Sequence, residues 1–229
     1  MTNNHTHTAA ADTITEIVLI LDRSGSMAGL EDDTVGGFNA MIEAQKKTAG
    51  TVWDSTVLFD HESEVLHDRV PLARVQPLTR DTYVPRGSTA LYDAVGGAIH
   101  HIGNIHKYAR REDVPHKTLF VITTDGMENA SHRYSREQVK AMIARQQEKY
   151  GWEFLFLGAN MDAAETAETI GIHKKNAVNY HADTCGTRKN YAAVSEAVTQ
   201  IRTAQPLDDS WRRELDRDFK ARKKGLFRK

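Results

Sequence analysis

Short, unbroken apolar runs constrain the fold of this chain more than any other feature of its sequence. The segment Glu16–Asp22 reads Glu-Ile-Val-Leu-Ile-Leu-Asp, and Lys117–Thr124 reads Lys-Thr-Leu-Phe-Val-Ile-Thr-Thr. A strand that is apolar at nearly every position is buried on both faces, which is typical of a parallel sheet covered by helices. Two shorter strands are predicted at Trp152–Leu157 and Ala177–Tyr180.

Segments with helical periodicity separate these runs. In Ser88–Arg111 the apolar residues recur three or four positions apart, which predicts a long amphipathic helix. Ser135 and Gln138 have the spacing of a capping box, so a helix is expected to begin there and to end near Tyr150. Further helices are predicted at Asp32–Gly50, Ala163–Ile170 and Asn190–Ala204.

One hairpin interrupts the alternation of strands and helices. Thr51–Asp60 and Ser63–Val70 are rich in β-formers, and the turn Asp60-His61-Glu62 joins them. A polar connection follows at Pro71–Gly87 and is long enough to be a functional loop. The whole pattern predicts an α/β fold with a doubly wound, mostly parallel sheet, one antiparallel edge strand and helices on both faces.

The composition is that of a globular protein. Of 229 residues, 40% are hydrophobic and 27% are charged, values near the average for soluble domains. No run of about 18 apolar residues occurs, which excludes a membrane-spanning helix. The first residues lack the features of a secretory signal, and the one cysteine, Cys185, cannot form an internal disulfide. We therefore expect a cytoplasmic protein.

Charge divides the chain into three predicted parts: a flexible N-terminal segment at 1–13, the α/β domain at 14–204 and a basic, partly helical tail at 205–229. The whole chain has a net charge of −1, whereas residues 211–229 contain nine Lys or Arg and three Asp or Glu. Trp211 and Leu215 lie at helical spacing in the tail. Either this helix packs on the domain, which we favour, or it binds a membrane surface, nucleic acid or an acidic partner.

Side chains with short oxygen-bearing groups follow the predicted buried strands. Asp22, Ser24 and Ser26 come at the end of the first strand, Thr89 begins the long helix, and Asp125 ends the strand after it. In doubly wound sheets, ligands bind at the carboxyl ends of the strands. Carboxylates and hydroxyls suit a hard cation such as Mg²⁺. The sequence predicts a metal site with an open position that a carboxylate from another molecule can fill.

The same residues carry a family resemblance. Asp22-x-Ser24-x-Ser26, then Gly-Ser-Thr89-Ala-Leu-Tyr-Asp and Thr-Asp125-Gly, resemble the metal-ion-dependent adhesion site of von Willebrand factor type A (vWA) domains. All five positions match in order, and the resemblance covers about residues 16–204. It implies a Rossmann-like vWA fold, bound Mg²⁺ (with Mn²⁺ or Ca²⁺ as alternatives) and a protein partner that presents an Asp or Glu carboxylate. It does not imply catalysis.

Intracellular bacterial members of this family also suggest a biological setting. They often act as adaptors in ATPase-linked or stress-resistance systems, so the resemblance implies such a role here. Arg23 lies inside the motif and Arg86 lies shortly before its threonine. Both could contact the acidic partner or be ordinary surface charges, and the sequence leaves both interpretations open.

Other interpretations of the site residues are weaker. Thr89 could cap its helix, and Asp125 could begin a turn with Gly126. A Mg²⁺-dependent phosphatase-like hydrolase could use Asp22, but such enzymes need an acid two residues later, where this chain has Ser24. The eleven histidines include no His-Glu-x-x-His pattern for zinc. We expect neither enzymatic activity nor nucleic-acid binding.

Overall fold

The computed structural model of this protein describes residues 13–203, 205 and 207–226. Of the N-terminal segment predicted to be flexible, all but Thr13 lies outside these residues, and residues 206 and 227–229 of the predicted tail also lie outside them. No helix in the described part of the chain is long and apolar enough to span a membrane.

The described chain forms one six-stranded sheet, with the strands in the order β3-β2-β1-β4-β5-β6. Only β3 runs antiparallel to its neighbour β2, and it lies at an edge of the sheet, as predicted. The strands are β1 Thr15–Asp22, β2 Val52–Phe59, β3 Ser63–Pro71, β4 Lys117–Thr124, β5 Glu153–Ala159 and β6 Ala177–Tyr180.

In the described part of the chain, six α-helices cover the two faces of this sheet. They are α1 Glu31–Lys46, α2 Leu91–Tyr108, α3 Arg136–Tyr150, α4 Ala163–Thr169, α5 Thr184–Arg202 and α6 Arg213–Leu226. Helices α1, α5 and α6 contribute to the apolar cluster on one face, and α2, α3 and α4 contribute to the cluster on the other. The capping box at Ser135 and Gln138 is formed as predicted. The doubly wound α/β architecture is confirmed.

The helix predicted at Ser88–Arg111 is shorter at both ends and spans Leu91–Tyr108. Its expected first residues belong to a loop that is held by other parts of the chain. The Thr89 amide donates to Oδ1 of Asn129, and the Ala90 amide donates to the carbonyl of Asp60. The N-cap residue is Ala90, and the side chains that accept amides of the first helical turn are those of Glu128 and Ser131, so the interpretation of Thr89 as a cap is wrong.

Two other helix boundaries differ from the prediction. Helix α1 ends at Lys46, four residues before Gly50. Helix α5 begins at Thr184, six residues before the predicted Asn190. The Asp183 carboxylate accepts the Gly186 amide at 2.8 Å and caps this extra turn. The residues of this extra turn are polar and lack the apolar periodicity on which the helix prediction depended. The sequence analysis therefore placed the start of α5 too late, although Asp183 is a typical capping residue.

The described part of the basic tail packs on the domain. Trp211 and Leu215 are buried in the apolar cluster that α1 and α5 share. Phe219 stacks on His181, with ring centroids 4.8 Å apart. Helix α6 therefore lies along β6, the second edge strand of the sheet.

The strand order places a topological switch in the middle of the sheet. From β1 the chain winds outward through β2 to β3, and from β4 it winds outward through β5 to β6. Between β1 and β4, the connections leave in opposite directions and open a crevice at the carboxyl ends of both strands. Asp22 ends β1, and Asp125 directly follows β4, so both face this crevice.

Candidate metal centre

Asp22 is the most firmly held side chain of the candidate centre. Its Oδ1 accepts the Ser24 amide at 2.7 Å, and its Oδ2 accepts the Thr124 hydroxyl at 2.5 Å. The hydroxyl of Tyr83, from the loop between β3 and α2, donates to the Asp22 carbonyl at 2.6 Å. These bonds hold both the backbone and the carboxylate in one orientation at the end of β1.

The two serines connect this position to the next strand. The hydroxyl oxygens of Ser24 and Ser26 are 3.1 Å apart, and the Ser26 hydroxyl donates to Oδ1 of Asp125 at 2.6 Å. The other carboxylate oxygen of Asp125, Oδ2, is buried and has no hydrogen-bond partner. A buried carboxylate oxygen without a partner is expensive, so this atom is suited to a ligand.

A backbone bridge brings the loop before α2 to the motif. The Gly25 amide donates to the Gly87 carbonyl at 3.1 Å, and the Arg86 amide donates to the Arg23 carbonyl at 2.8 Å. The two loops therefore run side by side, although more than sixty positions separate them in sequence. This pairing brings the Thr89 region to the end of β1.

Thr89 lies against the backbone that follows Asp125. A Cβ atom built on Gly126 would be only 2.5 Å from the Thr89 hydroxyl oxygen. Because glycine has no Cβ atom, it leaves space for this hydroxyl. Asn129 fixes the loop from the other side, because its amide donates to the Thr89 carbonyl at 3.0 Å. The structure therefore brings all five sequence-predicted residues to one place, at the ends of β1 and β4 and the loop before α2.

Two buried, ionised carboxylates close together are electrostatically unfavourable when no cation lies between them. Burial raises the pKa of Asp22 more than its hydrogen bonds from Ser24 and Thr124 lower it. For Asp125, burial and the nearby Asp22 charge together raise the pKa above its ordinary value, against the bond from Ser26. A bound divalent cation would offset this repulsion.

The donor set fits a hard divalent cation. It consists of two carboxylates and three hydroxyls, with Asp125 Oδ2 left without a partner. Among the described residues, no group of three or more His, Cys, Asp or Glu side chains is placed to hold a metal ion. Oxygen ligands, few carboxylates and no thiolate or imidazole are the chemistry that Mg²⁺ prefers.

The two arginines predicted to flank the metal differ in their surroundings. Arg23 is buried, and it pairs with Asp60 at 2.9 Å and with Glu64 at 2.6 Å. Arg86 is half-exposed and also pairs with Asp60 at 2.9 Å. Burial raises the pKa of Asp60, but bonds from Arg86, the Glu62 amide and Arg23 outweigh it and hold the pKa below its usual value. Arg23 is therefore a structural cation, and Arg86 is the arginine that solvent reaches.

Sequence reasoning missed several residues that support the site. Asp60 follows the end of β2 and was assigned to a hairpin turn alone, although the argument from strand ends applied to it as well. Glu128 accepts the Tyr92 amide at 2.9 Å and so joins the loop after β4 to the start of α2. Asp93 of α2, in contrast, is part of the motif that carries the family resemblance; it accepts amides from His132, Arg133 and Tyr134 and fixes the far end of that loop. Single carboxylates such as Asp60 and Glu128 lie in irregular segments and follow no periodic pattern that could reveal them.

Comparisons with known proteins establish the fold. No family model matches the sequence, and no curated protein matches it. Among solved structures, the von Willebrand factor domain of the type V pili tip protein Mfa5 from Porphyromonas gingivalis has a TM-score of 0.60 at 12% identity, over 87% of this chain and all of that chain. The D319A mutant of the PilB minor pilin from Streptococcus sanguinis has a TM-score of 0.57 at 11% identity, over 86% of this chain and 64% of that chain.

A third structure is similar over a comparable range. It is proximal thread matrix protein 1 from the mussel byssus, described with a zinc-occupied MIDAS motif, with a TM-score of 0.55 at 16% identity. The match covers 82% of this chain, which spans about half of that longer chain, 46%. This chain therefore has the von Willebrand factor type A fold.

Proposed function

We propose that this chain is a protein-interaction module that depends on a divalent cation. Asp22, Ser24, Ser26, Thr89 and Asp125 hold the cation, and a carboxylate of the partner completes its coordination. The expected ion is Mg²⁺, with Mn²⁺ and Ca²⁺ as alternatives. The observation that carries the proposal is the convergence of three hydroxyls and two buried carboxylates, one with an unpartnered oxygen, at the switch point of the sheet.

The ligand set favours binding of a partner at the metal. Five short side chains from three separate segments reach the site, and only two of them carry charge. Two carboxylates neutralise a divalent cation without making it anionic, so a third carboxylate can still approach it. Arg86 is half-exposed beside this site, so that solvent and a partner can reach its guanidinium although it pairs with Asp60. An acidic side chain is therefore the partner group that fits best.

One neighbour in the comparison supports the use of such a site. The proximal thread matrix protein 1 structure is described with zinc in its MIDAS motif. By analogy, we propose that the same part of the fold binds a divalent cation here. We also propose that this protein is cytoplasmic and acts as an adaptor in an ATPase-linked or stress-resistance system, which cell fractionation and partner identification would test.

Metal binding is tested by titrating Mg²⁺ and Mn²⁺ into the protein in a calorimeter. Thr89→Ala removes one proposed ligand that caps no helix, and Ser88→Ala is the matched control at the adjacent exposed residue. We expect Thr89→Ala to weaken binding at least tenfold, about 1.4 kcal/mol, and Ser88→Ala to leave it unchanged. Equal affinity for all three proteins would contradict the assignment.

Partner binding is tested with a random peptide library displayed on phage and selected on the protein in Mg²⁺. We expect the recovered peptides to share an Asp or Glu, and to lose binding in EDTA or when that residue becomes Asn or Gln. Arg86→Gln should weaken these peptides while leaving metal affinity unchanged. Peptides that bind equally in EDTA would show that the partner does not use the metal.

The hydrolase alternative rests on Asp22 as a nucleophile. The residue two positions later is Ser24, whose hydroxyl lies 3.1 Å from that of Ser26 and cannot serve as a carboxylic acid. Both oxygens of Asp22 already accept hydrogen bonds. We therefore propose binding rather than catalysis. Hydrolysis of an aryl phosphate by the wild type and its loss in Asp22→Asn would reverse this choice.

A further inference from the structure

A groove with strongly cationic walls lies between the start of β6 and the last helix. Its cavity volume is about 790 Å³. One wall is the turn Lys174–Asn176, which precedes β6, and the other is the exposed face of α6. We call it the cationic groove; its lining residues are Ala164, His173, Lys174, Lys175, Asp209, Arg212, Arg213, Asp216, Arg217 and Lys220.

The cationic groove is separate from the candidate metal centre. The turn Lys174–Asn176 lies at the amino end of β6, whereas Asp22 and Asp125 lie at the carboxyl ends of β1 and β4. Because β1, β4, β5 and β6 are parallel, the amino end of β6 and the carboxyl ends of β1 and β4 lie at opposite ends of the sheet, measured along the strands. The groove is therefore accessible whether or not the metal centre is occupied.

The wall formed by α6 is firmly attached to the domain. Leu215 of the helix is buried in the core, and so is Trp211, which lies two residues before the helix begins. Asp218 pairs with Lys189 of α5 on another side. Arg212 reaches across the groove floor and donates to the carbonyls of Lys174 and Lys175 at 3.1 and 2.9 Å. The two walls therefore keep a fixed separation.

Ion pairs with the acidic residues of α6 offset two of the six cations that line the groove. Asp216 pairs with Arg212 at 2.9 Å, and Asp218 faces α5 rather than the groove. Glu214 pairs with Arg217 at 2.6 Å. The lining contains six Lys or Arg side chains and two Asp side chains, and Glu214 offsets Arg217, which leaves a net charge of about three positive. The groove therefore keeps a net positive charge although part of its arginine charge is paired.

Four exposed cations of the groove have no ion-pair partner among the described residues. They are Lys174, Lys175, Arg213 and Lys220. Arg213 and Lys220 lie seven residues apart on one face of α6, about 10 Å along the helix. The two lysines of the turn face them from the other wall. This is a double row of positive charge with a length suited to a linear anion.

We propose that the cationic groove binds a linear chain of phosphate groups. Lysines act as point charges toward phosphates and need no fixed angle, which suits a repeating anion that can shift along the groove. No aromatic side chain other than the imidazole of His173 lines it, so stacking against bases adds little. The ligand is recognised through its phosphates, as in inorganic polyphosphate or in a nucleic-acid backbone.

The test measures fluorescence anisotropy with labelled inorganic polyphosphate in EDTA, which removes any contribution from the metal centre. The groove variant is Lys174→Gln/Lys175→Gln/Lys220→Gln. Its matched control is Lys47→Gln/Lys107→Gln/Lys149→Gln, three exposed lysines elsewhere on the molecule. Each phosphate contact contributes a slope of about 0.7 in log K against log salt, so loss of three predicts about 100-fold weaker binding at ~0.1 M salt. The control should bind like the wild type.

Three comparisons decide the outcome. If both triple variants weaken binding equally, or if the wild type does not bind, the proposal is wrong. If poly-glutamate of equal charge binds as tightly as polyphosphate, the groove attracts any anion and phosphate recognition is refuted. An oligothymidylate that binds as well per phosphate and is lost in the groove variant identifies nucleic acid as the source. Weaker binding of that strand identifies inorganic polyphosphate. Thermal unfolding checks that both variants fold.

Discussion

The close approach of Gly126 to Thr89 yields the sharpest prediction about the candidate metal centre. A methyl group at position 126 would lie 2.5 Å from the Thr89 hydroxyl oxygen, but 3.4 Å from its Cβ and Cγ2 atoms. Gly126 is outside the left-handed region of φ, so alanine is compatible with its backbone. Gly126→Ala should therefore displace the hydroxyl by rotation of the Thr89 side chain about its Cα–Cβ bond, which moves Cγ2 with it.

The expected magnitudes follow from that geometry. Forcing a side chain out of its preferred rotamer costs roughly 0.5–1.5 kcal/mol, so the free energy of unfolding in EDTA should fall by about 1 kcal/mol. For a chain of this length, that loss of stability lowers Tm by about 2–4 °C. Loss of one metal ligand should weaken Mn²⁺ binding at least tenfold, about 1.4 kcal/mol. The effect on metal affinity should thus exceed the effect on stability.

Calorimetric titration with Mn²⁺ and thermal unfolding in EDTA measure the two quantities separately. Gly97→Ala is the control, because a Cβ on Gly97 of α2 has no atom within 4 Å. In a Thr89→Ala background, Gly126→Ala should cause no further loss of affinity, since the displaced hydroxyl is already absent. Wild-type Mn²⁺ affinity in Gly126→Ala, or additive losses in the double variant, would refute the role of this hydroxyl.

Three further predictions concern the support of the site and the tail. Arg23→Ala leaves the buried Asp60 carboxylate with one cation fewer and should lower the free energy of unfolding by about 3 kcal/mol in urea denaturation. Backbone amides outweigh burial and hold the pKa of Asp93 below its usual value; its carboxylate therefore stabilises the fold at neutral pH, and this contribution is lost as the pH falls through that lowered pKa, below ~4. The stability difference between wild type and Asp93→Asn should accordingly shrink in acid, and a constant difference from pH 7 to pH 3 would oppose this. Trp211→Ala should lower the free energy of unfolding by about 3–5 kcal/mol, whereas a freely solvated tail would leave it unchanged.

The sheet and the grouping of the site residues could be predicted because both follow from repeated patterns. The apolar run ending at Asp22 predicts a buried parallel strand, and parallel strands place their ends at one edge. The spacing of Asp22, Ser24 and Ser26 then predicts one cluster with Asp125. These conclusions need only periodicity and topology, and the structure agrees with them.

The supporting contacts could not be predicted because they depend on loops. Tyr83 donates to the Asp22 carbonyl across sixty-one positions of sequence, and Asn129 holds Thr89 through two backbone groups. Such contacts follow from the course of irregular segments, which have no period. The start of α2 was misplaced for the same reason, since its first expected amides bond to Asn129 and Asp60.

The most direct test of the proposed metal centre is anomalous diffraction from crystals of this protein soaked in Mn²⁺. The proposal predicts one strong anomalous peak within bonding distance of the Ser24, Ser26 and Thr89 hydroxyls, at the carboxyl ends of β1 and β4. The same soak of Ser26→Ala crystals should give a weaker peak or none. Clear density for the five side chains without a peak between them, at millimolar Mn²⁺, would contradict the central claim.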